Sequence, residues 1–272
     1  MDNSDLAKRM KEYESIPKTK LIRRMPVIIR IDGRAFHTFT KGFKRPFDEV
    51  LIKSMQDTMK YLCENIQNCV LGYHQSDEIT LLLVDYKELN TSPWFDNKVQ
   101  KICSITASMA TMVFNKNFFT NSMEYLKVLP LETDQEKEYY RLMCGVYSKA
   151  DDKGAMFDAR CFNIPKEEVT NNIYWRQLDA TRNSIQMVGQ AYFSHRELQN
   201  KNCNDIQNML FTQRGINWND FATYLKRGSC CIKETYKHND DTLRTRWIID
   251  KEIPVFKGEE RDYIDNLVYV GE

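Results

Sequence analysis

The chain has no long apolar run. No stretch approaches the roughly 20 residues that a membrane-spanning helix needs, and nothing near the start has the apolar core of a signal peptide. These absences set the expectation of a soluble cytoplasmic protein with no membrane partner. Charge of one sign is missing too, with 39 Lys and Arg against 38 Asp and Glu. A net charge of +1 cannot hold a polyanion, so affinity for nucleic acid would have to come from local basic patches. There is no internal repeat, no low-complexity tract and no zinc-ligand spacing. Each of the two acidic stretches described below holds a single glycine, which excludes a Walker loop and a dinucleotide-binding loop.

What is present is enough to build a core. With 42% hydrophobic residues, 272 positions suffice for one large domain or for a core with an appended lobe. The eight cysteines lie singly at core-like positions such as Cys63, Cys69 and Cys103, or as the adjacent pair Cys230-Cys231 in a strand-like run. In a chain of this length they read as reduced structural thiols, not as a disulfide scaffold. Basic clusters occur at Arg23-Arg24, at Lys41 with Lys44-Arg45, at Lys226-Arg227 and at Arg244 with Arg246. Each alone reads as solvated surface.

The most informative stretch is Pro26 to His37, a β-branched run that stops at Asp32-Gly33. Val27, Ile29 and Ile31 fall on one face of a strand and Ile28 on the other, as in a strand buried on both sides. Gly33 permits a turn with positive φ and a close ligand approach, and the amides of Arg34 to His37 would then form an anion-binding concavity. Asp-Gly is also an ordinary turn dipeptide, so a second acid is needed. Cys69 to Val84 supplies it as a predicted hairpin with Ser76, Asp77 and Glu78 at or near its tip. Between the two lies a predicted helix with Pro46 near its first turn and Leu51, Met55, Met59, Leu62 and Ile66 at helical spacing. This order lets the first strand pair with the hairpin, bringing Asp32 beside Asp77. Two such carboxylates repel unless a divalent cation such as Mg2+ lies between them.

Elsewhere, Leu6, Met10 and Tyr13 predict a short amphipathic helix with a packing role, and a long helix is predicted from Lys98. Residues 120–155 read as a peripheral insertion with a short helix through Met143 and an Asp151-Asp152-Lys153-Gly154 loop. A return strand follows over 155–164, and Pro165 opens a helix on which Arg176, Asp179, Asn183, Gln186 and Gln190 share a face. Capping boxes at Ser194-His195-Arg196-Glu197 and Asn204-Asp205-Ile206-Gln207 predict two helices, with Gly215 and Gly228 as stops. His195 is explained by its place in the first box. Strands over 229–235 and 242–249, joined by a His-Asn-Asp-Asp turn, form a late hairpin on which Arg244 and Arg246 share a face.

Several of these motifs together carry a resemblance. Arg30 to His37, Arg45-Pro46 with Asp48, Gln75-Ser76-Asp77-Glu78, Phe157 to Arg160, Trp175-Arg176-Gln177 with Asp179, and Lys226-Arg227-Gly228 resemble the tRNA-histidine guanylyltransferase family over roughly residues 5–235. The resemblance implies an α+β fold: a polymerase-palm-like antiparallel sheet with helices packed on it, and a smaller C-terminal helical and hairpin lobe. It implies a catalytic half over 1–135 and a second half, 136–272, that completes the sheet and contacts tRNA. By resemblance, Asp32, Gly33 and Asp77 hold two Mg2+ ions, with Asp32 and Asp77 catalytic. The nucleotide site then comprises Asp32, Gly33, Arg34, Ala35, Phe36, His37, Arg45, Ser76, Asp77, Lys98 and Lys101. Contact with tRNA falls to Arg176, Asn183, Lys226 and Arg227. ATP, GTP or other nucleoside triphosphates are the implied substrates, and a homodimer or homotetramer the implied assembly.

There is one departure. The histidine-tRNA enzymes carry His-Ile-Asn-Asn where this chain reads Thr181-Arg182-Asn183-Ser184. It places the chain nearer the guanylyltransferase-like branch, whose members repair 5′-truncated tRNAs by template-dependent 3′–5′ addition. Guanylate addition restricted to tRNA-His, a palm-type nucleotide cyclase and a non-catalytic tRNA-binding protein are the alternatives. Glu78 either supports the metal shell or faces solvent.

Overall fold

The computed structural model describes residues 4–238 and 241–271. Six strands, β1 (Val27–Gly33), β2 (Cys69–Gln75), β3 (Glu78–Leu83), β4 (Phe157–Asn163), β5 (Ser229–Lys237) and β6 (Leu243–Asp250), form one antiparallel sheet in the order β4-β1-β3-β2-β5-β6. Val27, Ile28, Ile29 and Ile31 are all buried because both faces of β1 are covered. Strand alternation sends Val27, Ile29 and Ile31 to one core and Ile28 to the other.

The first core lies under α2 (Phe36–Phe39), α3 (Glu49–Asn65), α4 (Val99–Lys127) and α5 (Asp134–Lys153). Met55, Met59 and Leu62 of α3 are fully buried in it, as their spacing predicts. Pro46 is not in the first turn of α3; the cap is Asp48, whose carboxylate accepts from the Leu51 amide, so Pro46 lies in the approach to the helix. The insertion expected over 120–155 is corrected as well. α5 is a full helix that starts at a Thr133/Glu136 capping box and ends at Gly154. Its Met143, Tyr147 and Ala150 enter the main core, and Asp151 and Asp152 belong to its last turn.

The second core lies between the sheet, α6 (Lys166–Tyr192) and α10 (Asp262–Val268). α6 runs on past the sheet, where α7 (His195–Leu198) and α8 (Cys203–Arg214) gather around Val188, Ile206 and Leu210, and α9 (Thr223–Arg227) packs against α6. The cap of α8 is Asn202, paired with Asp205, two residues before the predicted start. β5 hydrogen-bonds to β2, so the late hairpin extends the sheet. Of its predicted turn, Asn239 and Asp240 lie outside the described residues. α1 (Asp5–Ser15) buries none of its residues: Leu6, Met10 and Tyr13 face outward, against the packing role expected of them. Among the described residues no helix is long and apolar enough to cross a membrane.

Candidate active site

Strand pairing brings the two acids together. In the β1–β3 ladder Asp32 stands opposite Glu78, and the Gly33 amide donates to the Asp77 carbonyl at 3.0 Å. Ser76 and Asp77 form the two-residue β2–β3 turn, with Ser76 in the left-handed region at φ 52°. Burial raises the Asp77 carboxyl above the usual carboxylate range, and repulsion from Asp32 pushes it the same way. The cation nearest Asp32 is Arg160, at 3.9 Å and shared with Asp158.

The turn after Asp32 differs from the expected one. Gly33 does not take a positive φ; the left-handed residue is Ala35, at φ 53°. Gly33 is required because Phe36 folds back under it, and a Cβ there would stand 2.3 Å from the Phe36 ring. The Arg34 amide is used by the Met156 carbonyl at 2.8 Å, so the expected concavity shrinks to Ala35, Phe36 and His37, whose amides open the short α2.

These groups line an open cleft of about 710 Å3. Of the expected residues it brings together Asp32, Gly33, Ala35, Phe36, His37, Arg45, Ser76 and Asp77. Lys41, Lys44, Thr40, Asp48, Met187 and Gln190 join them. The lysines were legible only as a surface cluster. Gln190 was already placed on the helix face shared with Asn183, and Met187, one turn after Asn183, could have been found by the same spacing. Asp48 is held by the Tyr147 hydroxyl at 2.9 Å and the Lys44 amide at 3.1 Å, and its burial raises its carboxyl. His74, unmarked in the sequence, lies behind the turn. Its Nε2 is 3.0 Å from the Ser76 carbonyl, and burial lowers its pKa to about 4, so the neutral ring donates from that nitrogen.

Other expected residues lie elsewhere. Thr111 of α4 accepts from the Phe157 amide, opposite Gly33, whereas Val99 donates to Thr19 and Lys98 bridges Lys20. Lys98 therefore lies more than three turns, roughly 20 Å, along α4 from the level of the cleft. Lys101 is one turn on, over the Phe95 ring. Both sit away from the cleft because α4 runs along β4, the neighbour of β1. Arg34 is exposed beside the cleft. Arg176 is not an RNA-facing cation but is buried on Glu78, and Glu78 is itself buried and not turned to solvent. Asn183 and Lys226 line a separate cavity of about 70 Å3 beside the cleft. Lys226 donates to the Asn219 carbonyl at 2.6 Å, and the Arg227 carbonyl accepts from the Tyr73 hydroxyl.

The donors suit a hard divalent cation. Two carboxylates face one cleft: among the described residues Asp77 has no lysine or arginine within ion-pair distance, and Asp32 has Arg160 at 3.9 Å, held more closely by Asp158 at 3.0 Å. Among the described residues no group of three His, Cys, Asp or Glu side chains converges. An ion here would be held by Asp32 and Asp77 and would draw its other ligands from backbone, phosphate and water, the habit of Mg2+.

Comparison with known proteins agrees with this geometry. The family profile described as tRNAHis guanylyltransferase matches residues 7–165. A bacterial tRNA(His) guanylyltransferase (Thg1)-like protein, solved in complex with ATP, is 42% identical with a TM-score of 0.81, over 98% of this chain and 100% of that one. A structure described in the same words but in complex with GTP is 40% identical with a TM-score of 0.78, over the same shares. The tRNA(His) guanylyltransferase of Saccharomyces cerevisiae is 26% identical over 225 residues, 76% of this chain and 82% of that protein.

Proposed function

The chain belongs to the tRNAHis guanylyltransferase family and is a nucleotidyltransferase; we propose that its cleft adds nucleotides to the 5′ end of tRNA, in the 3′–5′ direction and against a template. The observation that carries this reading is the Gly33–Asp77 backbone bond, which joins the ends of β1 and the β2–β3 turn and so sets two carboxylates at one end of a triphosphate-sized cleft. Asp32 and Asp77, with the Gly33 carbonyl, would hold Mg2+. When bound, a pair of such ions lowers the pKa of an attacking hydroxyl and neutralises charge on the leaving group. The amides of Ala35, Phe36 and His37 would face the phosphates and Lys41, Lys44 and Arg45 would offset their charge, while Ser76, also in the lining, hydrogen-bonds the Asp77 carboxylate. The reaction has two parts: the tRNA 5′ phosphate attacks the α-phosphorus of ATP, taking an adenylyl group and releasing pyrophosphate, and the 3′-hydroxyl of the incoming nucleoside triphosphate then attacks the activated 5′ phosphate, losing its proton and expelling AMP.

The Thr181-Arg182-Asn183-Ser184 run and the 42% identity to a bacterial guanylyltransferase-like protein, against 26% to the yeast enzyme, support 5′-end repair over addition restricted to tRNA-His. Outward apolar residues on α1 and on α4, among them Met112, Phe119 and Met123, support a homodimer or homotetramer. Eight free cysteines support a reducing, cytoplasmic setting. The test is extension of a labelled 5′-truncated tRNA and of tRNA-His with each nucleoside triphosphate, beside a reaction with GTP and no RNA. Repair predicts template-matched addition on both tRNAs. Extension of tRNA-His alone would favour the restricted enzyme, product without RNA a cyclase, and tRNA binding with no product a catalytically silent protein.

A further inference from the structure

Glu78 stands between the two acids: it follows Asp77 in the chain and faces Asp32 across the β1–β3 ladder. Its carboxylate is fully committed. Oε1 accepts from Arg176 Nε at 2.7 Å, and Oε2 accepts from Arg176 Nη2 at 2.8 Å and Arg30 Nη2 at 2.7 Å. The Thr80 hydroxyl adds a fourth donor, to Oε1 at 3.5 Å, so hydrogen bonds from the protein take up the acceptor sites that Glu78 could offer a cation. On its other side Arg176 reaches Asp179 at 3.0 Å, and Asp179 also accepts from Arg182 and from Asn183, at 3.4 Å for the latter. A continuous set of hydrogen bonds thus runs from the strand end that carries Asp77 into α6, one turn before Met187 in the cleft wall.

Stability alone does not explain such a pair. Removing two ions from water costs several kcal/mol, and a buried ion pair is often matched by an apolar pair of the same volume. A two-point guanidinium–carboxylate contact supplies a fixed relative orientation of the two elements it joins, which an apolar pair does not. We propose that Arg176 is a positioning residue for the metal and nucleotide site: by gripping Glu78 it fixes the backbone of the Ser76–Asp77 turn and the register of α6, and so sets the direction of the Asp77 carboxylate. This inference rests on the reading of the cleft given above.

The test uses the full chain with a non-hydrolysable GTP analogue. Free Mn2+ is titrated by electron paramagnetic resonance, and melting midpoints are recorded in parallel. Losing a contact that orients a ligand typically weakens metal binding by about 10–100-fold. Arg176→Lys, which keeps the charge but loses the fork, is expected to raise the Mn2+ dissociation constant at least tenfold. Glu78→Gln is expected to do the same, and it carries the test if Arg176→Lys fails to fold. The double variant should lose no more than either single one, because both act through one contact. Tyr86→Phe, which removes a buried hydrogen bond to the Val268 carbonyl away from the site, should lower the midpoint and leave Mn2+ affinity unchanged. Wild-type Mn2+ affinity in both folded variants, or equal weakening in Tyr86→Phe, would overturn the inference. Absence of Mn2+ binding by the wild type would instead remove the reading on which it rests.

Discussion

A histidine held neutral behind a turn gives the site a pH dependence of its own. His74 has a folded-state pKa of about 4 against 6.5 for the free side chain, so as pH falls the unfolded chain takes up the proton first. The stability this withholds from the folded state is fully present above pH 6.5 and lost as pH falls from there towards 4, about 3 kcal/mol in all. His74→Gln keeps a donor for the Ser76 carbonyl but has no proton to gain. Urea unfolding at pH 7, 5.5 and 4.5 should therefore show a shallower loss of stability in the variant, and equal slopes would contradict the burial argument. Gly33 makes a second prediction at this scale. Because an alanine Cβ would overlap a buried phenylalanine ring, Gly33→Ala should destabilise the fold by about 1–3 kcal/mol in the same assay, the usual cost of overpacking.

At the scale of elements, α5 ties the outer helical layer to the cleft through the Tyr147 hydroxyl on Asp48. Tyr147→Phe should cost about 1 kcal/mol in unfolding free energy. It should also raise KM for the nucleoside triphosphate with little change in kcat, as read from steady-state nucleotide addition, because Asp48 lines the cleft without being a ligand of the metal. The sequence made α3 legible through its helical spacing, and β1 and the β2–β3 hairpin through short apolar runs bounded by polar turn residues. It also made legible that Asp32 and Asp77 meet, because antiparallel pairing after one helix leaves few alternatives. α5 was obscured because its first two turns are polar and only Met143, Tyr147 and Ala150 mark its buried side. Arg176 was expected to contact tRNA because local spacing does not show that Glu78, distant in sequence, stands opposite it. Lys98 and Lys101 looked like phosphate ligands because position in a motif does not reveal at which end of a helix the cleft opens.

At the scale of the whole molecule, the sheet draws strands from along the chain and places Asp32 and Asp77 at one end of the β1–β3 ladder. Apolar side chains on α1 and α4 are left facing outward. An isolated helix as short as α1 is marginal in water, and the proposed assembly would give its apolar side chains a partner. Sedimentation equilibrium of the full chain should give a mass of two or four subunits. Leu6→Glu combined with Met10→Glu should shift it towards the monomer, and a monomeric wild type would contradict the assembly. The most direct measurement of the central claim is anomalous diffraction from crystals soaked with Mn2+ and a non-hydrolysable GTP analogue. The account predicts manganese peaks bonded to the carboxylates of Asp32 and Asp77, with the triphosphate beside Ala35 to His37. Nucleotide bound in the cleft with manganese absent, or bonded to neither aspartate, would contradict it.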